Sequence, residues 1–480
     1  MNQLDDDAPI AGATLPQVSS DGGIRDGVLI LCVSSFGRLR AIADSVTAAL
    51  PQRKVLFVAA HPPAGASCVD LYAGFDGREA RLAATADTIR DEFGIEPAKL
   101  YQSDLRYRYH AESEETLASR TLWVLRHAKR MIEENAIGRI FMTGGGSLET
   151  NAVFELSRRM PGLRAFRIHP FGYLDPSGSG FRHFFTDSNL QHLPVWPKID
   201  RDSDRFQRAR HDAAHYVESI AADRFRPDQF ARAHARRGTF TPGVAGLLVA
   251  LAKHVAEHGY ARLHRRPVRN VFRQRALSFF RKAYLDVSRR SVPSDWPYFV
   301  YVLHHPADSQ LLLRGRQFCD QVALCRLLAA NMPAGTRLVV KEHPVNPGML
   351  AIADMRRMRR LYANLAFADY SSSFRELVRG ASGVITINST AGLEAAILGV
   401  PVIVLGEGIY RDAPFTHTVT DFAALTDMLT SILVDRPTPK AEDIVELITC
   451  VLYHTEVAET VDDEATVAAI SRGIMTRVAR

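Results

Sequence analysis

The chain has no run of about 18 apolar residues, which excludes a membrane-spanning helix as far as sequence can. Cysteine is scarce. Cys32, Cys68, Cys319, Cys325 and Cys450 are scattered without zinc-ligand spacing, which excludes a disulfide scaffold and fits reduced thiols in a cytoplasmic protein. The opening stretch, MNQLDDDAPIAGATLPQVSSDGG, has neither the basic start nor the apolar centre of a signal peptide, and residues 1–24 are expected to be disordered. No solenoid-length repeat recurs. Charge of one sign is also in short supply: 59 basic and 53 acidic residues leave +6, too slight an excess for a dedicated nucleic-acid binder. That balance still suits an anionic substrate or a membrane surface. What is present is 480 residues, 46% hydrophobic, enough for two or three ordinary cores.

From residue 28, short apolar runs alternate with longer helical ones. VLILCV (28–33), KVLFVAA (54–60), KLYQS (99–103), RIFMTGG (139–145) and RAFRIHP (164–170) are expected as strands, with helices near 78–93, 112–135 and 148–159. The rhythm lapses over residues 190–290, which are rich in Arg, His and Ala, and resumes at YFVYVLH (298–304). RLVVKEH (337–343), LAFADY (365–370), GVITIN (383–388) and PVIVLG (401–406) follow, with helices over 316–331, 348–363, 373–380 and 390–398. Continuous apolar strands between amphipathic helices imply parallel sheets covered on both faces. The expected fold is therefore α/β, with two Rossmann-like doubly wound domains. The expected boundaries are 25–190 for the first domain, 191–294 for a helical Arg-rich insert, 295–440 for the second domain and 441–480 for C-terminal helices. Ligand crevices of such sheets lie at the carboxyl ends of their strands. Two such crevices facing across a cleft would make the GT-B architecture of many nucleotide-sugar enzymes.

Two stretches of the second domain carry chemistry. VVKEHP (339–344) runs from strand residues into Lys341 and His343, which can offer positive charge or hydrogen-bond donors to a phosphate, and Pro344 stiffens the turn. The alternative is a surface turn with a Lys341–Glu342 ion pair. In GVITINSTAGLEAAILGVPVIVLG (383–406), Ser389 and Thr390 open a helix that Gly399 ends, and Glu394 sits about one turn inside it. A helix N-terminus with two hydroxyls favours an anion, and the Glu394 carboxylate suits ribose hydroxyls. The alternative is an ordinary capped helix.

RLVVKEHP followed by VITINSTAGLEAAILGVPVIVLGEGIY, with YFVYVLHHPADSQ upstream, resembles the bacterial capsule polysaccharide biosynthesis family, which includes β-Kdo transferases. The likeness covers roughly residues 295–412; the His-Pro pair is also shared with polysialyltransferase-like enzymes. The resemblance implies a GT-B glycosyltransferase that moves an acidic, Kdo-like sugar from a CMP-sugar to a lipid-linked or growing glycan. It places His343, Pro344, Ser389 and Thr390 on the CMP phosphate, Lys341 beside them, Gly392 in the same helix turn and Glu394 at the ribose. No Asp-X-Asp motif stands where a metal–nucleotide complex would need it, so metal-independent transfer is expected with no cofactor beyond the donor substrate.

The first domain should supply acceptor-side chemistry. TGGGSLETN (143–151) brings Glu149, and HPFGYLDPSGSG (169–180) brings His169, Tyr173 and Asp175. Pro170 and Phe171 stand where the family has acids, which leaves Asp175 and Glu149 as candidates for acid, base or nucleophile. Ser34, Ser35 and Arg38 follow the first strand, and the pairs His61-Pro62 and His305-Pro306 are read as turns. RLHRRPVRNVFRQRALSFFRKAYLDVSRR (262–290) could rest on an anionic inner-membrane leaflet, the alternative being a solvated helical face. Two other functions compete: a GT-B epimerase or CDP-polyol phosphotransferase, and a non-catalytic module of a polysaccharide export complex.

Overall fold

The structure, a computed structural model, describes residues 25–33, 36–75, 86–101, 103–104, 112–143, 146–170, 181–186, 199–224, 281, 296–306, 308–343, 350–368, 372–458 and 463–479. The chain divides into two compact units, Met1–Phe166 with Ile474–Arg480 and Arg167–Gly473. Its described strands are β1 (Gly27–Cys32), β2 (Val55–Ala59), β3 (Val69–Asp70), β4 (Ile137–Thr143), β5 (Arg164–Pro170), β6 (Phe181–Thr186), β7 (Tyr298–Val302), β8 (Arg337–Lys341), β9 (Leu365–Phe367), β10 (Gly383–Thr386), β11 (Val402–Val404), β12 (Thr416–Thr418) and β13 (Thr455–Ala458).

The first sheet has the order β13-β6-β5-β4-β1-β2-β3. β1 pairs in parallel with β2 and β4, and every residue of GVLILC is buried, as a central strand covered on both faces requires. Helices α1 (Phe36–Ala49), α2 (Ala86–Phe93), α3 (Ala98–Tyr101), α4 (Glu114–Glu134) and α5 (Leu148–Ser157) follow in chain order. α1 buries Leu39, Ile42, Ala43 and Val46, the i, i+3, i+4, i+7 stripe of an amphipathic helix. β6 runs antiparallel to both β5 and β13.

The second sheet has the order β12-β11-β10-β7-β8-β9, with every neighbouring pair parallel. Counted from β7, this is the doubly wound order 3-2-1-4-5-6, with its switch point between β7 and β10. Around it stand α6 (Asp204–Ala221), α7 (Ser309–Arg314), α8 (Gln321–Ala330), α9 (Ile352–Leu361), α10 (Phe374–Arg379), α11 (Thr390–Ile397), α12 (Leu425–Asp435) and α13 (Ala441–Tyr453); α14 (Asp463–Val478) follows in chain order, with Gly473 beside Phe185 of β6. α6 and α13 share a core: Ala213, Tyr216 and Ile220 meet Ile444, Ile448 and Val451, together with Val384 and Val402 of the sheet.

The α/β class and the pair of doubly wound sheets are as expected from the sequence. Four local expectations are corrected. KLYQS is helical at its start, because Pro97 opens a turn whose carbonyl accepts from Leu100 and Tyr101. The third strand of the first sheet is the two-residue β3 instead. The helix expected over 316–331 is broken: Arg316–Phe318 is a 3-10 turn, and Asp320 restarts the chain by accepting the Ala323 N–H at 2.9 Å. Residues 441–480, expected as helices, also contain β13, which borders β6. Of the Arg-rich stretch 262–290, all but Arg281 lies outside the described residues.

Candidate functional site at the switch point of the second sheet

β8 carries its apolar residues straight into Lys341, the last residue of the strand. Lys341 is 3% exposed and Glu342 2%, so the surface-turn alternative fails. Glu342 Oε1 accepts the Leu350 N–H at 3.2 Å and ties the strand end to the chain that enters α9. His343 is partly buried, with its ring edge-on to His305 at 6.4 Å between centroids. Burial pushes the His343 pKa down to about 4; His304, His305 and Lys341 press the same way, and Asp308 opposes them. Of the two expectations for His343, charge or hydrogen-bond donor, burial favours the donor. At neutral pH the ring offers one N–H and one lone pair. Pro344 lies outside the described residues.

β10 ends at Thr386, and the chain turns through Ile387 and Asn388 into α11. Ser389 is the cap of that helix: its hydroxyl accepts the Ala391 N–H at 3.3 Å, while its own N–H donates to Thr386 Oγ1 at 3.0 Å. Thr390 is exposed at the helix start. Gly392 has a packing reason of its own, since a Cβ there would stand 2.6 Å from the Tyr410 hydroxyl, which itself donates to the Ser389 carbonyl. Glu394 is buried, close enough to Tyr216 of α6 to add to the effect of burial in pushing that phenol's pKa up.

Between these two strand ends stands a residue that the sequence offered only as the last of an expected strand. His304, just after β7, is 2% exposed. Its Nε2 lies 2.9 Å from Asn388 Oδ1, so a hydrogen bond spans the switch point. The Asn388 amide is oriented by two donations from Nδ2, to Gln310 O at 3.0 Å and Glu407 O at 2.7 Å. The backbone of His304 is gripped on both sides by the Gln321 amide, which accepts from its N–H at 2.7 Å and donates to its carbonyl at 3.0 Å. The only sequence signal was position, since His304 follows a strand as Asn388 does. Its hydrogen-bond partners come from α8 and from the turn before α11.

In the first unit, Glu149 is 1% exposed and accepts from the Tyr72 hydroxyl at 2.6 Å. His61 stacks on Tyr72 at 5.3 Å and 5°. Two N–H groups at the start of α5 are taken by side chains: Leu148 N–H donates to Asp104 at 2.8 Å, and Thr150 N–H to Ser147 at 3.3 Å. Arg38 is exposed, while Ser34, Ser35, Tyr173 and Asp175 lie outside the described residues. His169 of β5 is buried and accepts from Arg314 Nη2 at 3.1 Å. Burial first, then the charges of Arg314 and Arg167, hold that imidazole neutral.

The second sheet is parallel and doubly wound, and its strands end in Lys341 on β8, His304 after β7 and the Ser389-capped helix after β10; folds of this kind bind ligands at the carboxyl ends of their strands. Residues 250–423 match the family described as capsule polysaccharide biosynthesis protein, so the expected resemblance holds over the segment that contains this site. Among curated proteins, the capsule polysaccharide export protein KpsS of Escherichia coli is 28% identical over 156 residues, 29% of this chain and 39% of that protein. The capsule polysaccharide modification protein LipB of Neisseria meningitidis is 28% identical over 135 residues, 27% of this chain and 30% of that protein. The chain thus matches well under two thirds of either relative. Among solved structures, the KpsC β-Kdo 2,7 transferase of Thermosulfurimonas dismutans is similar at a TM-score of 0.35 and 12% identity, over 88% of this chain and 98% of that one. That is a loose likeness.

Proposed function

We propose that the chain is a glycosyltransferase of capsule or surface polysaccharide assembly, with CMP bearing an acidic, Kdo-like sugar as donor and a lipid-linked or growing glycan as acceptor. What supports this reading is that Lys341 ends β8, His343 follows it, and Ser389 caps the helix after β10, all at the carboxyl ends of one parallel sheet inside the segment that matches the capsule family. Lys341, His343, Pro344, Ser389 and Thr390 bind the donor phosphate, and Glu394 takes the ribose hydroxyls. Gly392 lets the first turn of α11 keep its shape under Tyr410. The leaving phosphate is stabilised by the helix N-terminus and by N–H donors, in a step that needs no metal. Glu149 or Asp175 supplies the acid or base on the acceptor side. The basic stretch 262–290 holds the chain at an anionic leaflet. Among the described residues, no helix is long and apolar enough to cross a membrane.

Thermal melting with CMP, CDP, UDP and GDP tests the donor. CMP is expected to stabilise the chain, by about 2.7 kcal/mol at a hundredfold excess over Kd. His343→Ala should erase that gain while the ligand-free melting point barely moves. Stabilisation by UDP or GDP alone would replace CMP, and stabilisation by none would reject the nucleotide site. Transfer that vanishes with EDTA and returns with magnesium would overturn the metal-free step. Failure to sediment with anionic vesicles at low salt would remove the membrane role of 262–290.

A further inference from the structure

We propose that His304 reads a hydrogen-bond donor of the bound nucleotide sugar, a hydroxyl or amino group, by accepting it at Nδ1, and so sets which part of the ligand lies over the switch point. The assignment rests on the nucleotide-sugar reading of the site and adds a residue that the motifs did not mark. Asn388 decides the tautomer. Its Nδ2 is committed to two carbonyls, so its Oδ1 faces His304 Nε2 as an acceptor, and Nε2 must carry the proton. Burial keeps the ring from taking up a second proton. Nδ1 is then a bare acceptor, buried and without a hydrogen-bond partner among the described residues. Buried acceptors are normally satisfied, which makes an unmatched one at a ligand-binding position a sign of what arrives there.

The chemistry of that acceptor is selective. A phosphate at neutral pH presents oxygens that are acceptors, and two acceptors face to face repel, so Nδ1 turns a phosphate away. A sugar hydroxyl, a ribose hydroxyl or an exocyclic amine can donate to it. His304 therefore divides the work with the Ser389 cap, where the helix N-terminus favours the anion. Gln321 fixes the backbone on both sides, so the ring cannot slide away to find another partner.

The test is calorimetry of the wild type and His304→Gln with CMP and with CMP-N-acetylneuraminate. The glutamine amide can still donate to Asn388 but has nothing at the Nδ1 position. Expected are a melting point close to that of the wild type and at least a tenfold loss of affinity for one of the two ligands. A loss already seen with CMP places the donor group on the nucleoside; a loss confined to the sugar conjugate places it on the sugar. Unchanged affinity for both overturns the role of His304 and leaves the nucleotide reading standing. A wild type that binds neither ligand rejects that reading itself. Ring nitrogen-15 spectra of the ligand-free wild type give a second check that needs neither ligand nor variant: Nδ1 should be unprotonated, and a protonated Nδ1 overturns the proposal.

Discussion

Three imidazoles at strand ends, His169, His304 and His343, are held neutral chiefly by burial, and the consequence for pH has a definite sign. An unfolded histidine titrates near 6.5, whereas folded His343 titrates at about 4. Above pH 6.5 both states are neutral and the ring contributes no dependence. As pH falls from 6.5 towards 4, the unfolded chain takes up a proton that the native ring refuses, so stability falls; below 4 no further loss comes from this ring. For His343 the effect is on the order of 3 kcal/mol once the pH is below about 4. Melting followed from pH 8 to pH 4 should show the decline, and His343→Gln should flatten part of it; an unchanged slope in the variant would refute the assignment. His343 was legible in sequence because VVKEHP juxtaposes charge and an apolar strand, but its neutrality was not, because that depends on burial. His304 was legible only by its position at the end of a strand. Its partners lie 17 and 84 positions away, and only the folded sheet brings Gln321 and Asn388 to it.

Among the elements, α11 shows how a motif can be located correctly and explained incompletely. Ser389 as cap and Gly399 as terminator follow from local rules, and the structure gives the helix Thr390–Ile397 between them, with Gly399 at positive φ. Gly392 looked like part of an anion-binding turn, yet Tyr410 crosses that turn from 18 positions later in the chain. Gly392→Ala should therefore cost about 1–3 kcal/mol through overpacking. Tyr410→Phe should recover part of that cost when combined with it, because the clashing oxygen is gone. Chemical denaturation of both single variants and the double variant measures the coupling, and strict additivity would show that the two residues do not meet. The central strands were legible because continuous apolar runs of four to six residues allow little else. β6 and β13 were missed because antiparallel strands near a sheet edge need no such run: FRHFFT and TEVA carry polar residues that a buried parallel strand would exclude.

At the scale of the whole molecule, the division into two α/β sheets was readable from the alternation of strands and helices. The dependence of the second core on α13 was not, since an amphipathic helix does not announce its partner. Ile444, Ile448, Val451 and Leu452 bury themselves beside α6, and each is worth roughly 1.5–3 kcal/mol. Their sum is comparable with the entire 5–15 kcal/mol by which such a chain is stable. A chain ending at residue 440 should lose its cooperative melting transition, and a normal one would show that α13 is dispensable. The pairing of β13 with β6 has a consequence for synthesis. β6 leaves the ribosome early, but the strand that borders it follows about 270 residues later, a wait of tens of seconds at typical elongation rates. During that interval the backbone of β6 presents unpaired amides and carbonyls to any extended segment nearby, including the same strand of another nascent chain. Newly made chains are thus exposed to wrong pairing until residues 455–458 emerge, and a chaperone that shelters residues 181–186 until then would raise the yield of folded protein.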